Sequence, residues 1–292
     1  MSFSRQIKEE LARQEKEARH CNLAELSAFI RMSGEIKQVR DTYCIRFHTE
    51  NLAVARKCFT LLRKTFNIKA DIAARRHMPK DNASYDIYGQ GPELIAIRNA
   101  SLQSSCCKRS YLRGAFLTSG SMSDPNKSYH FEIVCDEAPL AEQLKELMMS
   151  FGLDGKVVER KQHYVVYLKE GSQIVDVLNV MEAHVALMEF ENVRIMKDMR
   201  NSVNRKVNCE TANINKTVSA AVKQTEDIKY IQDTNGLDKL PEGLKDVALT
   251  RLAYPDATLK ELGELLEHPI GKSGVNHRLR KLSEIAEKLR DR

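Results

Sequence analysis

Two segments of this chain, LSAFIRMSG (26–34) and LRGAFLTSG (112–120), are copies of one pattern set 86 residues apart. Each opens on leucine, passes a small residue two positions on, runs apolar, and closes on Ser-Gly. The match extends beyond the motif. Laying 24–64 on 110–150 pairs Leu26 with Leu112, Ala28 with Gly114, Gly34 with Gly120 and Tyr43 with Tyr129. A one-residue shift then pairs Phe66 with Phe151 and Ile68 with Leu153. An internal repeat decides the fold before any single element does. The chain is therefore expected to carry one αβ unit twice, related by a pseudo-two-fold axis.

Within each copy the pattern reads helix, strand, helix, strand. TYCIRFHT (42–49) and SYHFEIVC (128–135) have the aromatic and β-branched content of strands. LAVARKCFTLLRKTF (52–66) and APLAEQLKELMMSF (138–151) repeat apolar residues at three and four, as helices do. ASYDIYG (83–89) and QHYVVYLK (162–169) close the copies. Ahead of them, MSFSRQIKEELARQ forms an amphipathic helix with Phe3, Ile7 and Leu11 on one stripe and without the apolar core of a signal peptide. The organisation expected is an N-terminal helix (1–20), the duplicated domain (21–170, repeats about 21–90 and 107–170), a helical connector (171–238) and a terminal all-α block (239–292). In the connector, 172–188 and 189–207 read as two helices, and QDTNGLDKLPEG (232–243) breaks the helical run.

Bulk properties narrow the function classes. With 42% hydrophobic and 29% charged residues the composition is that of an ordinary globular chain. No stretch reaches the roughly 20 apolar residues of a membrane span, so a cytoplasmic location and no membrane partner are expected. The net charge of +6 is compatible with a polyanionic partner. Seven cysteines lie in no metal-ligand spacing, so neither zinc nor any other cofactor is expected. Cys21 and Cys107, which coincide in the two repeats, are read as small apolar packing residues.

The terminal block reads as three short helices. PEGLKDVALTRLAYP is the first, stopped by Pro255. Thr258 and Glu261 form a capping box opening TLKELGELL, EHPIGK turns, and SGVNHRLRKLSEIAEKLR follows with Ser273 as its expected cap. A tight link between the last two helices describes a helix-turn-helix. From Pro269 to Arg292 seven Lys/Arg stand against three acids, net +4; from Lys239 to His268 four stand against six, net −2. Charge is concentrated on the helix that would enter a DNA groove. Its stripe of Val275, Leu279, Leu282, Ile285 and Leu289 leaves Asn276, His277, Arg280 and Lys281 facing out, and Arg and Asn can pair with guanine and adenine edges. Lys272, Ser273 and the free amides of the first turn suit a phosphate. The candidate DNA-contact set is Thr258, Lys260, Lys272, Ser273, Gly274, Asn276, His277, Arg278, Arg280 and Lys281.

LSAFIRMSG and LRGAFLTSG resemble the signature helices of LAGLIDADG homing endonucleases. That resemblance implies two helices crossing closely through Ala28 and Gly114, each ending in an acid, the two acids holding a catalytic divalent cation. Here the matching positions are Ser33 and Ser119. A hydroxyl pair cannot neutralise Mg²⁺ as carboxylates do. Glu35 has Ser121 as its counterpart, and Asp124 reads as a turn residue in SDPNK. Residues 56–80 of the first copy carry eight basic side chains (Arg56, Lys57, Arg63, Lys64, Lys69, Arg75, Arg76, Lys80) against Asp71, whereas 142–165 carries four of each sign. The first copy is thus the one expected to touch any polyanion.

The whole chain resembles the WhiA family of sporulation transcription regulators. The carriers are MSFSRQIKEEL, LRGAFLTSGSMSDPNKSYHFEI (112–133), NRKVNCETANINKTV (204–218) and LKELGELLEHPIGKSGVNHRLRKL (259–282). The resemblance implies an α+β protein in which a degenerate LAGLIDADG-like domain precedes a helix-turn-helix that binds double-stranded DNA. It also implies a bacterial role in sporulation, or in cell division and chromosome segregation, at the nucleoid. Asn204, Arg205, Asn208, Cys209, Glu210 and Asn213 fall in the third block, expected to form a connector whose polar face docks on the other domains. A non-enzymatic regulator without a small-molecule substrate is the reading; the alternatives are a scaffold whose endonuclease-like domain binds a division or transcription protein, and a divalent-metal endonuclease.

Overall fold

Ser2 opens the first helix by accepting a hydrogen bond from the Arg5 amide at 3.3 Å, and α1 (Phe3–Arg13) buries Phe3, Ile7 and Leu11, the stripe expected. The computed structural model describes residues 2–15, 18–77 and 82–291. These divide into two compact units, Met1–Asp198 and Met199–Arg292.

In the first unit, one repeat comprises α2 (Arg19–Ser33), β1 (Gly34–Val39), β2 (Thr42–Thr49), α3 (Leu52–Phe66), β3 (Ala70–His77) and β4 (Asn82–Gly91), followed by a short 3-10 turn and α4 (Ile95–Arg98). The other comprises α5 (Ser105–Ser119), β5 (Gly120–Met122), β6 (Phe131–Cys135), α6 (Ala138–Met149), β7 (Lys156–Arg160) and β8 (His163–Leu168). Each repeat folds an antiparallel four-stranded sheet, in the orders β1-β2-β4-β3 and β5-β6-β8-β7. The duplication is thus repeated in topology.

The order corrects the sequence reading, which gave each copy two strands. Those two, β2 with β4 and β6 with β8, are the central strands, buried at Ile45, Phe47, Ile87, Phe131, Ile133 and Val166. The added strands are edges: GEIKQV, ADIAARRH, GSM and KVVER. Edge strands gain from charge and shortness, which discourage pairing with other chains, and the same features erase the alternation that reveals a strand.

Between the sheets α2 and α5 cross where expected. A Cβ on Gly114 would lie 2.7 Å from the Glu25 carbonyl oxygen and 2.9 Å from Ala28 Cβ, so only glycine permits the approach. Inside this seam sits charge. Arg113, with 0% exposure, donates to Gln14 Oε1 (2.7 Å), Glu182 Oε2 (3.1 Å), the Met181 carbonyl (3.3 Å) and Ser110 Oγ (3.2 Å). Lys57 Nζ lies 3.5 Å from Glu25 Oε1 and donates to the Gln14 carbonyl.

After the repeats come α7 (Gly171–Met181) and α8 (His184–Thr234), a 51-residue helix in which the unit boundary falls. The expected break within 172–207 therefore lies at 182–183, where Glu182 takes a left-handed φ of 66°, and no second break follows. Glu10 of α1 caps the start of α8, its carboxylate accepting from the Val185 and Ala186 amides at 2.8 and 3.0 Å, an anion set on a helix N-terminus. Asn204, Arg205, Asn208, Cys209, Glu210 and Asn213 are all exposed on α8.

In the second unit α9 (Glu242–Ala253), α10 (Leu259–Leu265) and α11 (Lys272–Arg290) pack on the last turns of α8, around Ile228, Ile231, Val247, Leu262, Val275, Leu279 and Leu282.

Candidate nucleic-acid interface

The terminal helices arrange themselves through backbone polar groups as much as through their core. Thr258 Oγ1 accepts from the Glu261 amide at 3.3 Å while Glu261 Oε2 accepts from the Thr258 amide at 2.8 Å, completing the expected capping box. Arg251, 2% exposed, spans the bend before it, donating to the carbonyls of Pro255 (3.2 Å) and Ala257 (2.7 Å). Its guanidinium loses hydration there, which lowers its pKa. The link from α10 to α11 closes when Ile270 N–H donates to the Gly263 carbonyl at 3.0 Å. A Cβ at Gly263 would come within 2.2 Å of the Ile270 oxygen, so the turn demands glycine. Sequence reading missed both Arg251 and Gly263; a lone arginine among apolar residues and a glycine inside a helix were the available signals.

On α11, Val275, Leu279 and Leu282 are buried at 0 to 1% exposure. Asn276, His277, Arg280 and Lys281 are exposed on the same helix, as are Lys272 and Ser273 at its start and Thr258 and Lys260 on the preceding element. Arg280 Nε is 3.5 Å from Glu284, a solvated pair one turn apart that other partners can displace. Two members of the expected set differ. Gly274 is half-buried, and Arg278 turns back to donate to the Gly243 carbonyl at 3.1 Å, tying α11 to the first turn of α9. Ser273 does not cap α11: the helix starts at Lys272 with Gly271 as N-cap, two residues earlier than expected, and no side chain fills that role.

At the other candidate surface, α2 and α5 end on Ser33, exposed, and Ser119, half-buried. The neighbouring carboxylates are occupied. Glu35 pairs with Lys37 at 2.6 Å, whose hydrogen bond and charge hold the carboxyl below its ordinary range. Asp86 Oδ1 accepts from Arg46 at 3.1 and 3.2 Å and lies 3.1 Å from His48 Nδ1. Burial pulls the Asp86 pKa up, but the bonds from His48 and Arg46 together outweigh it and hold it low. In the second copy Glu132 accepts from Ser121 Oγ at 2.9 Å and meets His130 at 3.0 Å. Asp124 is a turn residue as expected, its carboxylate accepting from the Asn126 amide at 2.9 Å.

Of the basic set in 56–80, Lys57 is spent inside the seam rather than on the surface. Lys64 pairs with Glu15, and Arg63 lies over the Phe59 ring at 5.5 Å. Lys80 lies outside the described residues.

The N-terminal ends of α2 and α5 hold a cluster that the spacing of cysteines concealed. His20, Cys21, Cys106 and Cys107 place their ligand atoms within 4.8 Å of one another. Cys21 and Cys107 are buried, as packing residues would be, and their sulfurs lie 3.4 and 3.2 Å from His20 Nδ1.

Two LAGLIDADG-like repeats followed by a helical block of helix-turn-helix type define the class of the protein. Residues 19–100 match the WhiA N-terminal LAGLIDADG-like domain, 108–200 the WhiA LAGLIDADG-like domain and 203–286 the WhiA C-terminal HTH domain. The chain belongs to the WhiA family. It is 50% identical to a probable cell division protein WhiA of Lachnoclostridium phytofermentans, over 99% of this chain and 100% of the relative. A protein of the same name from Alkaliphilus oremlandii is 50% identical over 100% and 98%. The crystal structure of full-length WhiA from Thermatoga maritima matches with a TM-score of 0.67 at 27% identity, covering 99% of each chain. No described helix is long and apolar enough to cross a membrane.

Proposed function

We propose that this protein is a non-enzymatic, sequence-specific binder of double-stranded DNA that regulates transcription, with α11 as the reading helix. The observation that carries this is the division of α11 into a buried apolar stripe and an exposed face bearing Asn276, His277, Arg280 and Lys281. The exposed side chains have the donors and acceptors for base edges, while Lys272, Ser273, Gly274, Thr258 and Lys260 supply phosphate contacts beside a helix N-terminus. Arg278, held by Gly243, orients the reader rather than reading. The relatives' name supports a role in cell division, and sporulation control or chromosome segregation is the process proposed.

Ser33 and Ser119 in place of the paired acids support the non-enzymatic part. Supercoiled plasmid incubated with Mg²⁺ or Mn²⁺ should stay intact; cleavage lost on mutating either serine would overturn it.

Selection of preferred sites from a random duplex pool, followed by anisotropy on the selected site, tests the reading. Binding should weaken steeply with salt, because basic contacts release counterions. Arg280→Ala should cost about 1–3 kcal/mol on the selected site and little on unselected DNA. An unenriched pool, or equal loss on every sequence, refutes base reading by Arg280.

A further inference from the structure

The offset that relates the two repeats sets His20 on Cys106 and Cys21 on Cys107, so the first turns of α2 and α5 present the pairs His-Cys and Cys-Cys at equivalent positions. Parallel crossing brings these pairs together. His20 Nδ1 lies 3.2 Å from Cys107 Sγ, 3.4 Å from Cys21 Sγ and 4.0 Å from Cys106 Sγ. A tetrahedral zinc with ordinary bond lengths separates nitrogen from sulfur by about 3.5 Å and sulfur from sulfur by about 3.8 Å. The three separations scatter around the first value, and all four ligand atoms lie within 4.8 Å. The imidazole stands at ligand distance from three sulfurs, and the whole set needs to close by no more than about 1 Å to meet a shared ion.

We propose that His20, Cys21, Cys106 and Cys107 bind a zinc-like thiophilic divalent cation that staples the two repeats together at the N-terminal end of their seam. Three sulfurs and one imidazole are the donor set of structural zinc, and soft thiolates exclude Mg²⁺ and Ca²⁺. Four protein ligands leave no open position for water, so the ion would hold the fold and do no chemistry. Three thiolates and a neutral imidazole around a dication leave one net negative charge, which the positive ends of α2 and α5 offset. Cys21 and Cys107 are buried while His20 and Cys106 are exposed, giving the ion a way in. Binding displaces three thiol protons per ion. The cluster lies at the opposite end of the same two helices from Ser33 and Ser119.

The test uses the full chain, purified reduced and without a polyhistidine tag, in a Cys44→Ser, Cys209→Ser background that removes two of the cysteines outside the cluster. Elemental analysis after zinc loading should find one ion per chain. Cobalt(II) should give thiolate charge-transfer bands and the strong visible bands of a tetrahedral site. Loss of an outer-shell partner weakens metal sites by roughly 10–100-fold, so loss of a ligand in Cys106→Ser or His20→Asn should weaken binding by at least about 100-fold. Both positions are exposed, and unchanged circular dichroism of the metal-free variants would separate a lost ligand from a lost fold. Chelation should lower the melting temperature of the parent and leave that of Cys106→Ser unmoved. The proposal is wrong if the reduced parent takes up no zinc, if Cys106→Ser binds it as tightly, or if a disulfide within the cluster forms in place of metal uptake.

Discussion

Arg113 Nε lies 3.5 Å from Glu25 Oε1 across the crossing of α2 and α5, with the two side chains 0% and 1% exposed. A second cation, Lys57 Nζ, lies 3.5 Å from the same oxygen. One carboxylate thus serves two buried cations. Removing it in Glu25→Ala leaves Lys57 without a carboxylate and Arg113 with Glu182 alone, and should cost about 3–5 kcal/mol, read as a fall in the urea midpoint of the first unit. A loss under about 1 kcal/mol would mean that Gln14, Ser110 and Glu182 suffice for Arg113.

Lys8 gives the first unit a pH dependence of its own. Burial alone lowers its pKa from 10.5 to about 8, while its ammonium donates to the Thr118 carbonyl at 3.4 Å. Between those two values the unfolded chain holds more protons on this group than the folded one, so its contribution to stability rises with pH through that window. Subtracting the stability profile of Lys8→Met from the parent should leave a rising limb there. A flat difference counts against a depressed Lys8.

In the second unit, Gly263→Ala sets a methyl group against the Ile270 carbonyl, a contact of 2.2 Å before relaxation. Backbone has little room to yield, so a loss of about 1–3 kcal/mol is expected in its thermal unfolding. DNA affinity should fall with it, because the turn aims α11.

Thr258→Ala removes one half of the capping box and should cost about 1 kcal/mol. Faster hydrogen exchange at the first amides of α10, with α9 unaffected, is the expected signature.

Arg278→Ala and Arg280→Ala should part company. The first loses the bond to the Gly243 carbonyl and should lower the unit's melting temperature; the second, exposed, should leave it unchanged while weakening DNA binding. Similar melting losses in both would erase the distinction drawn between them.

What could be read from the sequence follows what each pattern records. α3 and β2 were legible to the residue, because Leu52–Phe66 repeats apolar residues at three and four and Thr42–Thr49 is rich in aromatic and β-branched residues, with Ile45 and Phe47 buried. The edge strands were not, since β3 and β7 carry the charges that keep edges from pairing. Lys57 looked like part of a basic face because sequence records a charge and not its direction. The His20–Cys107 cluster fell outside local motif spacing; its two adjacent pairs meet only through the duplicated fold. The helix-turn-helix face needed no tertiary information beyond its own period, which is why Asn276, His277, Arg280 and Lys281 were found exposed as expected.

The seam also bears on ancestry. Ala28 meets Gly114 with no room for a second methyl group, and Glu25 of one helix is answered by Arg113 of the other. Two first repeats would meet methyl on methyl at the crossing; two second repeats would bring arginines together without the carboxylate. The halves have become lock and key. Each half is fitted at the crossing to the other half and not to a copy of itself.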